Sequence, residues 1–301
     1  MRYGCQSMVG KIDTIIIKHP EEAFISQENL DQKWKPFNYV SCPDYEKSLK
    51  EYSRFEEIIQ EHVENVHYLP QDDNTGLDST YAHDTCKITS KGAIMFTVGK
   101  ELRRGETGAT KKFLEGIGVP ILGEISGEGT MEGGDVVWLD EKTVAVGRGY
   151  RTNYEGIRQF RELTKDIVDE FIVVELPHGD GPDECLHLMS VISMVDHDLA
   201  VVYSKLMPVS FRDLLIERGI ELIEVDDAEY ANLGSNVLAL APRVCVMPAG
   251  NPGTREKLEK AGAKVFEYEG HDISFKGTGG PTCLTLPVTR LQRDIRNIRT
   301  I

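Results

Sequence analysis

One unit, an amphipathic helix followed by a short break and an apolar strand, comes back five times along the 301 residues of the chain. It runs over Phe55–Pro70, Thr110–Ile125, Gly156–Leu176, Phe211–Val225 and Gly253–Tyr268. Apolar residues at i, i+3 and i+4 mark the helices, and β-branched runs mark the strands. Gly219 and Gly262 stand where two of these helices would end, a position that favours the left-handed backbone glycine adopts at little cost. A further apolar strand precedes each helix, in TIIIK, GAIMFTV, TVAVGRG, LAVVYS and RVCVMPA. A period of roughly 45–55 residues falls in the range of arrays and propellers. The copies fill the chain, so the expectation is one α/β domain over residues 1–301, a five-bladed α/β propeller of pseudosymmetric repeats. An ordinary doubly wound α/β sheet is the alternative. In a radial array the loops at one end of every blade converge near the axis, and residues far apart in sequence can meet there.

Composition narrows the function. Apolar content of 40% with 28% charged residues is that of a globular chain with a real core. No apolar run reaches the roughly 18–20 residues that span a bilayer. The stretch Met1 to Ile17 lacks the layout of a secretory signal, so a cytoplasmic protein is expected. A formal charge of −15 argues against a nucleic-acid partner and is compatible with a cationic small ligand. Six cysteines, at 5, 42, 86, 185, 245 and 283, form no C-x-x-C pair, which speaks against a zinc ribbon or a thioredoxin-like motif.

Several polar residues collect in the loops between these elements. Asp78 and Asp84 lie six apart in LDSTYAHD, Arg103 and Arg104 in ELRRGET, and Glu132 opens EGGDVV. Arg151 follows a strand in GRGYRTN, His187 lies in ECLHLMSV, and Cys283 in GTGGPTCLTLP. Singly, each has an ordinary structural explanation as a turn residue, surface ion pair or buried thiol. Together they suit one chemistry. Carboxylates grip the N–H groups of a planar guanidinium. A thiolate can attack its central carbon, a His can protonate the leaving amine, and a carboxylate can orient that His. Arginine side chains can hold an α-carboxylate.

On these residues the chain resembles the guanidino-modifying superfamily of five-bladed α/β propellers, which includes dimethylarginine dimethylaminohydrolases, arginine deiminases and arginine:glycine amidinotransferases. Its spacing is most like that of the dimethylarginine enzymes. Their D-x5-D motif resembles Asp78 and Asp84, which implies that these hold the guanidinium. Their R-R-G/K-E segment resembles Arg103 to Glu106, and their R-T-N segment resembles Arg151 to Asn153, implying that Arg103 and Arg151 hold the substrate carboxylate. The acidic-x-G-D turn resembles Glu132 to Asp135, with Glu132 orienting the catalytic His. L-H-L-K resembles Leu186 to Met189, with His187 as acid and base, and the cysteine near the C-terminus resembles Cys283, the nucleophile.

Three departures bear on the substrate. His83 stands where the family often has Glu. Met189 stands where the dimethylarginine enzymes often have Lys, and where deiminases and amidinotransferases have Asp. The GGPTCLT loop is closer to that of the arginine deiminases. The resemblance implies a hydrolase of a free arginine derivative, foremost an Nω-methylated arginine, that gives citrulline and an amine through a covalent thiouronium on the cysteine and needs no metal or organic cofactor; an arginine deiminase-type hydrolase or an amidinotransferase acting on another guanidino compound is the alternative. Its expected partner is a small guanidino compound, with no nucleic acid or membrane, and self-association into a homo-oligomer is left open. The stretch Phe24 to Tyr39 is a candidate lid.

Overall fold

The computed structural model describes residues 3–291, so both ends of the expected 1–301 domain lie outside the described residues. Each recurring unit folds into a three-stranded sheet, and there are five among the described residues. The middle strands are Lys11–Ile17, Gly92–Met95, Thr143–Arg148, Leu199–Val202 and Val244–Pro248. Each feeds a helix: Tyr45–His62, Arg104–Gly116, Tyr154–Thr164, Val209–Glu217 and Pro252–Lys260. Each helix returns the chain to a third strand parallel to the middle one: Asn65–Tyr68, Ile121–Glu124, Glu170–Glu175, Glu221–Glu224 and Lys264–Tyr268. Glycine ends the helices as expected. Gly219 (φ 74°) and Gly262 (φ 83°) adopt the left-handed backbone just past the second-last and last of them.

The structure adds a strand that the repeat did not reveal. In every sheet an antiparallel strand flanks the middle one: Cys86–Thr89, Val136–Trp138, Ile192–Asp196, Leu238–Ala241 and, for the first blade, Thr285–Leu291 from the far end of the chain. These strands are short and buried along most or all of their length. The C-terminal strand pairs Leu286 with Ile16 and Thr285 with Ile17, closing the ring.

Burial explains why the middle strands read as unbroken apolar runs. Strand side chains alternate between faces, and here each face lies in a different core. Ile16 packs with Cys86, Met95 and Leu286, whereas Ile15 and Ile17 pack with Leu240, Val246 and Tyr268 of the fifth blade. Ile94 joins Val136 and Val146 of the third blade, while Ala93 and Met95 face the first. Ala145 packs with Met194 and Ala200, and Leu199 and Val201 pack with Cys245 and Met247. Five wedge-shaped cores thus fill the five seams between neighbouring blades. Among the described residues, no helix is long and apolar enough to cross a membrane.

The segment Phe24 to Tyr39 packs against the ring, and its Phe37 and Asn38 line a cavity at one mouth of the ring. Its helix Gln27–Lys33 is capped by Ser26, and Phe24, Leu30, Phe37 and Tyr39 are buried in the seam between the first and fifth blades.

Candidate active site

The loops at one mouth of the ring enclose a cavity of about 630 Å³ whose lining includes Asp78, Asp84, Arg103, Arg151, His187 and Cys283. Glu132, fully buried, stands directly behind His187. The seven residues expected to form the site are therefore brought together. Asp78 and Asp84 lie on two short 3-10 turns, Leu77–Thr80 and Ala82–Thr85, that lead into the second blade. Glu132 precedes the turn Gly133–Asp135 at the entry to the third. A Cβ on Gly133 would stand 2.1 Å from the His83 carbonyl oxygen, and one on Gly134 would stand 2.3 Å from His187 Nδ1. Only glycine lets this turn approach so closely.

His187 Nε2 lies 2.7 Å from Glu132 Oε2, with its N–H directed at the carboxylate. The other oxygen, Oε1, accepts from the Lys100 backbone N–H at 3.1 Å and faces Arg151 Nη1 at 3.5 Å. Asp135 accepts at 2.9 Å from the Leu188 N–H, which fixes the turn carrying His187. Burial resists a charge on His187, but the sulfur of Cys185 and the carboxylates of Asp135 and Asp84 hold its pKa well above the usual imidazole value. Burial would raise Glu132, yet its bond to His187 holds the carboxyl below its ordinary range. The pair is thus a carboxylate against an imidazolium, a poised proton donor.

Cys283 sits on the loop following Gly279 and Gly280, where added Cβ atoms would meet Tyr81 and Asn236 at 2.4 Å. Asn236 Oδ1 accepts from the Thr282 N–H at 3.1 Å and from its hydroxyl at 2.8 Å, and Asn236 Nδ2 points at Cys283 Sγ from 3.5 Å. Burial, reinforced by the Asp84 charge, pushes the Cys283 thiol up to about 11. A thiol raised so far is protonated at neutral pH.

Arg103 departs from its expected role. Its Nη1 donates to Asp84 Oδ2 at 2.6 Å, its Nε to Glu106 Oε2 at 3.1 Å, and its Nη2 to Glu106 Oε2 and the Tyr81 carbonyl at 2.9 Å each. It is built into the wall as counter-ion to two buried carboxylates, which would be costly to leave unpaired, rather than standing free for a ligand carboxylate. Burial opposes ionisation of Asp84, but Arg103 overrides it and keeps the carboxyl well below its ordinary range. Arg151, whose Nη1 reaches only Glu132 at 3.5 Å among the described residues, is the less committed guanidinium.

Four further residues shape the site without having been singled out by motif. Lys100 Nζ donates to Asp78 Oδ2 at 2.5 Å and to the Phe37 carbonyl at 2.6 Å. Asn236 supports the cysteine loop. Cys185 lies 3.8 Å from His187 Nδ1, a second thiol in the cavity. Lys87 Nζ lies 2.6 Å from His83 Nε2, and His83 Nδ1 lies 2.8 Å from the Thr285 carbonyl. The ammonium makes Nε2 an acceptor, so Nδ1 carries the proton and donates. Burial and then Lys87 push the His83 pKa down to about 3, so a neutral ring stands where the family often has Glu.

Ligand atoms of Asp84, Glu132 and His187 lie within 4.8 Å of one another, the spacing of a metal site. Their surroundings oppose a cation there. Asp84 is paired with Arg103, and Glu132 with His187 and the Lys100 N–H. The set is better matched to proton transfer than to metal ligation.

A closed ring of five α/β blades with a cysteine, a His–Glu pair and two carboxylates at one mouth defines the guanidino-modifying α/β propeller class. Over residues 27–290 the chain matches the family described as eukaryotic N,N-dimethylarginine dimethylhydrolase. It is 28% identical over 250 residues to the N(G),N(G)-dimethylarginine dimethylaminohydrolase of Pseudomonas aeruginosa, covering 83% of this chain and 91% of that one. A solved structure of the P. aeruginosa enzyme, a cysteine-to-serine variant complexed with citrulline, superposes with a TM-score of 0.75 at 25% identity, covering 92% of this chain and 99% of that one. The arginine deiminase of Rhodococcus opacus is 30% identical over 192 residues, which cover 53% of this chain and 46% of the deiminase. The chain belongs to the dimethylarginine dimethylaminohydrolase family, and is a hydrolase of carbon–nitrogen bonds in the guanidino groups of arginine derivatives.

Proposed function

We propose that the substrate is a free Nω-methylated arginine and that its hydrolysis to citrulline and an amine passes through a thiouronium on Cys283. The convergence of Cys283, the His187–Glu132 pair and the carboxylates of Asp78 and Asp84 on one cavity carries this reading.

The guanidinium enters between Asp78 and Asp84, and the substrate carboxylate meets Arg151. Arg103 contributes by fixing Asp84. The arriving cation brings positive charge to a buried thiol and drives release of its proton to solvent, since His187 already carries one. The thiolate attacks the guanidinium carbon to form a tetrahedral adduct. His187, held charged by Glu132, gives its proton to the departing methylamine or dimethylamine, leaving an S-alkylthiouronium. Water then attacks the same carbon while His187 takes up a proton. Collapse of the adduct frees citrulline, the compound bound by the P. aeruginosa relative, and restores the thiol.

Arginine deimination is the second reading, favoured by the GGPTCLT loop and the deiminase relatives. The Met at 189 opposes it, since a thioether offers no carboxylate to the guanidinium. Arginine, its mono- and dimethylated forms, agmatine and guanidino acids, assayed for ureido product and released amine, separate the two. The proposal expects turnover of the methylated forms and none in Cys283→Ser. Preference for unmodified arginine establishes the deiminase, and full activity of Cys283→Ser refutes the covalent route.

A further inference from the structure

The strand-to-turn segment that carries Asp78 and Asp84 has two cavities, one on each side. Asp78, Tyr81, His83 and Asp84 line the active-site cavity. Their neighbours Ser79, Ala82 and Thr85 line a second cavity of about 340 Å³, between the first and second blades. That volume lies within the range of small-molecule sites. Its apolar wall is made by Leu69, Pro70, Ala109, Phe113 and Ile117.

Two buried charges stand in this wall. Glu106 has both carboxylate oxygens on Arg103, so it has little acceptor capacity left for the cavity. Lys18 is 2% exposed, and its ammonium donates to a single acceptor among the described residues, the Thr75 hydroxyl at 3.2 Å. It forms no ion pair among the described residues. An ammonium carries three donors, and buried donors without acceptors are costly. Asp72, also in the wall, accepts from the Asn74 N–H and side-chain amide at 2.9 Å each. Lys112 adds a second cation to the lining. The unmet demand is therefore for an acceptor, preferably an anionic one, attached to a compact apolar body.

We propose that this cavity is a second ligand site, which takes a small monocarboxylate with an apolar or aromatic body, its carboxylate on Lys18. A carboxylate there gains charge-assisted hydrogen bonds from the ammonium, and its body covers Phe113 and Leu69. The site backs directly onto the loop of Asp78 and Asp84, and Glu106 connects it through Arg103 to Asp84. Its occupant is placed to act on the active-site carboxylates from behind.

Isothermal titration with benzoate and its neutral isostere benzamide tests this without relying on any catalytic assay. Benzoate is expected to bind roughly tenfold or more tightly than benzamide, and to lose at least about tenfold in affinity in Lys18→Met. Ala109→Trp, which fills the cavity but keeps the ammonium, should show the same loss, and it decides the matter if Lys18→Met does not fold. Arg151→Ala, which alters only the active-site cavity, should leave benzoate binding unchanged. The proposal is overturned if benzamide binds equally well, if Ala109→Trp binds benzoate normally, if Arg151→Ala abolishes binding, or if nothing binds up to about 50 mM, where the site would have no useful affinity.

Discussion

The proton positions in the cavity make the thiol the residue most sensitive to what is bound beside it. Burial and Asp84 hold Cys283 as a thiol, with its pKa pushed up to about 11. Alkylation by a neutral reagent follows the thiolate fraction. It should therefore be slow at neutral pH and rise close to tenfold per pH unit towards that value, as read by mass spectrometry of the Cys283 peptide. A cationic amidine alkylator, which supplies its own positive charge between Asp78 and Asp84, should label much faster at pH 7. A rate independent of pH between 7 and 9 would contradict the assignment of a protonated resting thiol. Glu132→Gln keeps the shape but removes the charge that supports the imidazolium, and kcat should fall by about 10²- to 10⁴-fold with little change in KM. Lys100 makes a prediction of the opposite sign. Its ammonium already sits on Asp78, so in the proposed binding mode a substrate guanidinium has to displace it. Lys100→Met should lower KM about fivefold, the equivalent of about 1 kcal/mol for a partly accessible ion pair, whereas Lys100→Arg should leave it near the parent value. A raised KM in Lys100→Met would show that the ammonium instead helps to hold the substrate.

Among the elements, legibility followed length and periodicity. The five helices and the strands on either side of them could be read because each spans enough residues for a 3.6- or 2-residue pattern to emerge. The flanking antiparallel strands could not. Val136–Trp138 has three residues and Cys86–Thr89 four, all buried, so alternation has no room to show. The closing strand Thr285–Leu291 finds its partner Lys11–Ile17 only across the whole chain. The site divides in the same way. Asp78, Asp84, Glu132, Arg151, His187 and Cys283 belong to motifs with fixed local spacing, and all six reach the one site. What local spacing does not encode is who pairs with whom. The commitment of Arg103 to Asp84 and the reach of Lys100 to Asp78 join two separate loops of the second blade, and the support of Cys283 by Asn236 joins loops that lead into different blades. The turn Gly133-Gly134 lies between these cases: its glycines are visible in the sequence, but their reason is the approach of His83 and His187. Gly134→Ala should push the imidazole off Glu132 and cost at least about 10²-fold in kcat, with substrate binding largely kept. An unchanged kcat would mean that the ring can move without loss.

At the scale of the whole molecule, no blade owns a core. Every middle strand divides its side chains between two seams, so a blade separated from its neighbours would expose both faces of its sheet. The ring should therefore unfold as one cooperative unit, although it is larger than most chains that do so. Ile16 lies in the seam between the first and second blades and Ile94 in that between the second and third, both fully buried. Replacing either by Ala removes packing atoms and leaves a cavity, at a cost of about 2–5 kcal/mol. Because the seams are linked through shared strands, each variant should shift the entire denaturation curve to lower urea with an unchanged slope. Activity should disappear at the same midpoint, since Cys283, His187 and the carboxylates are carried by loops of different blades and meet only while the ring is closed. Circular dichroism and activity followed across one urea series check this. Loss of activity well before the change in helical signal, or a second transition in one variant alone, would show that the seams open independently and that the site depends on a part of the ring rather than on its closure.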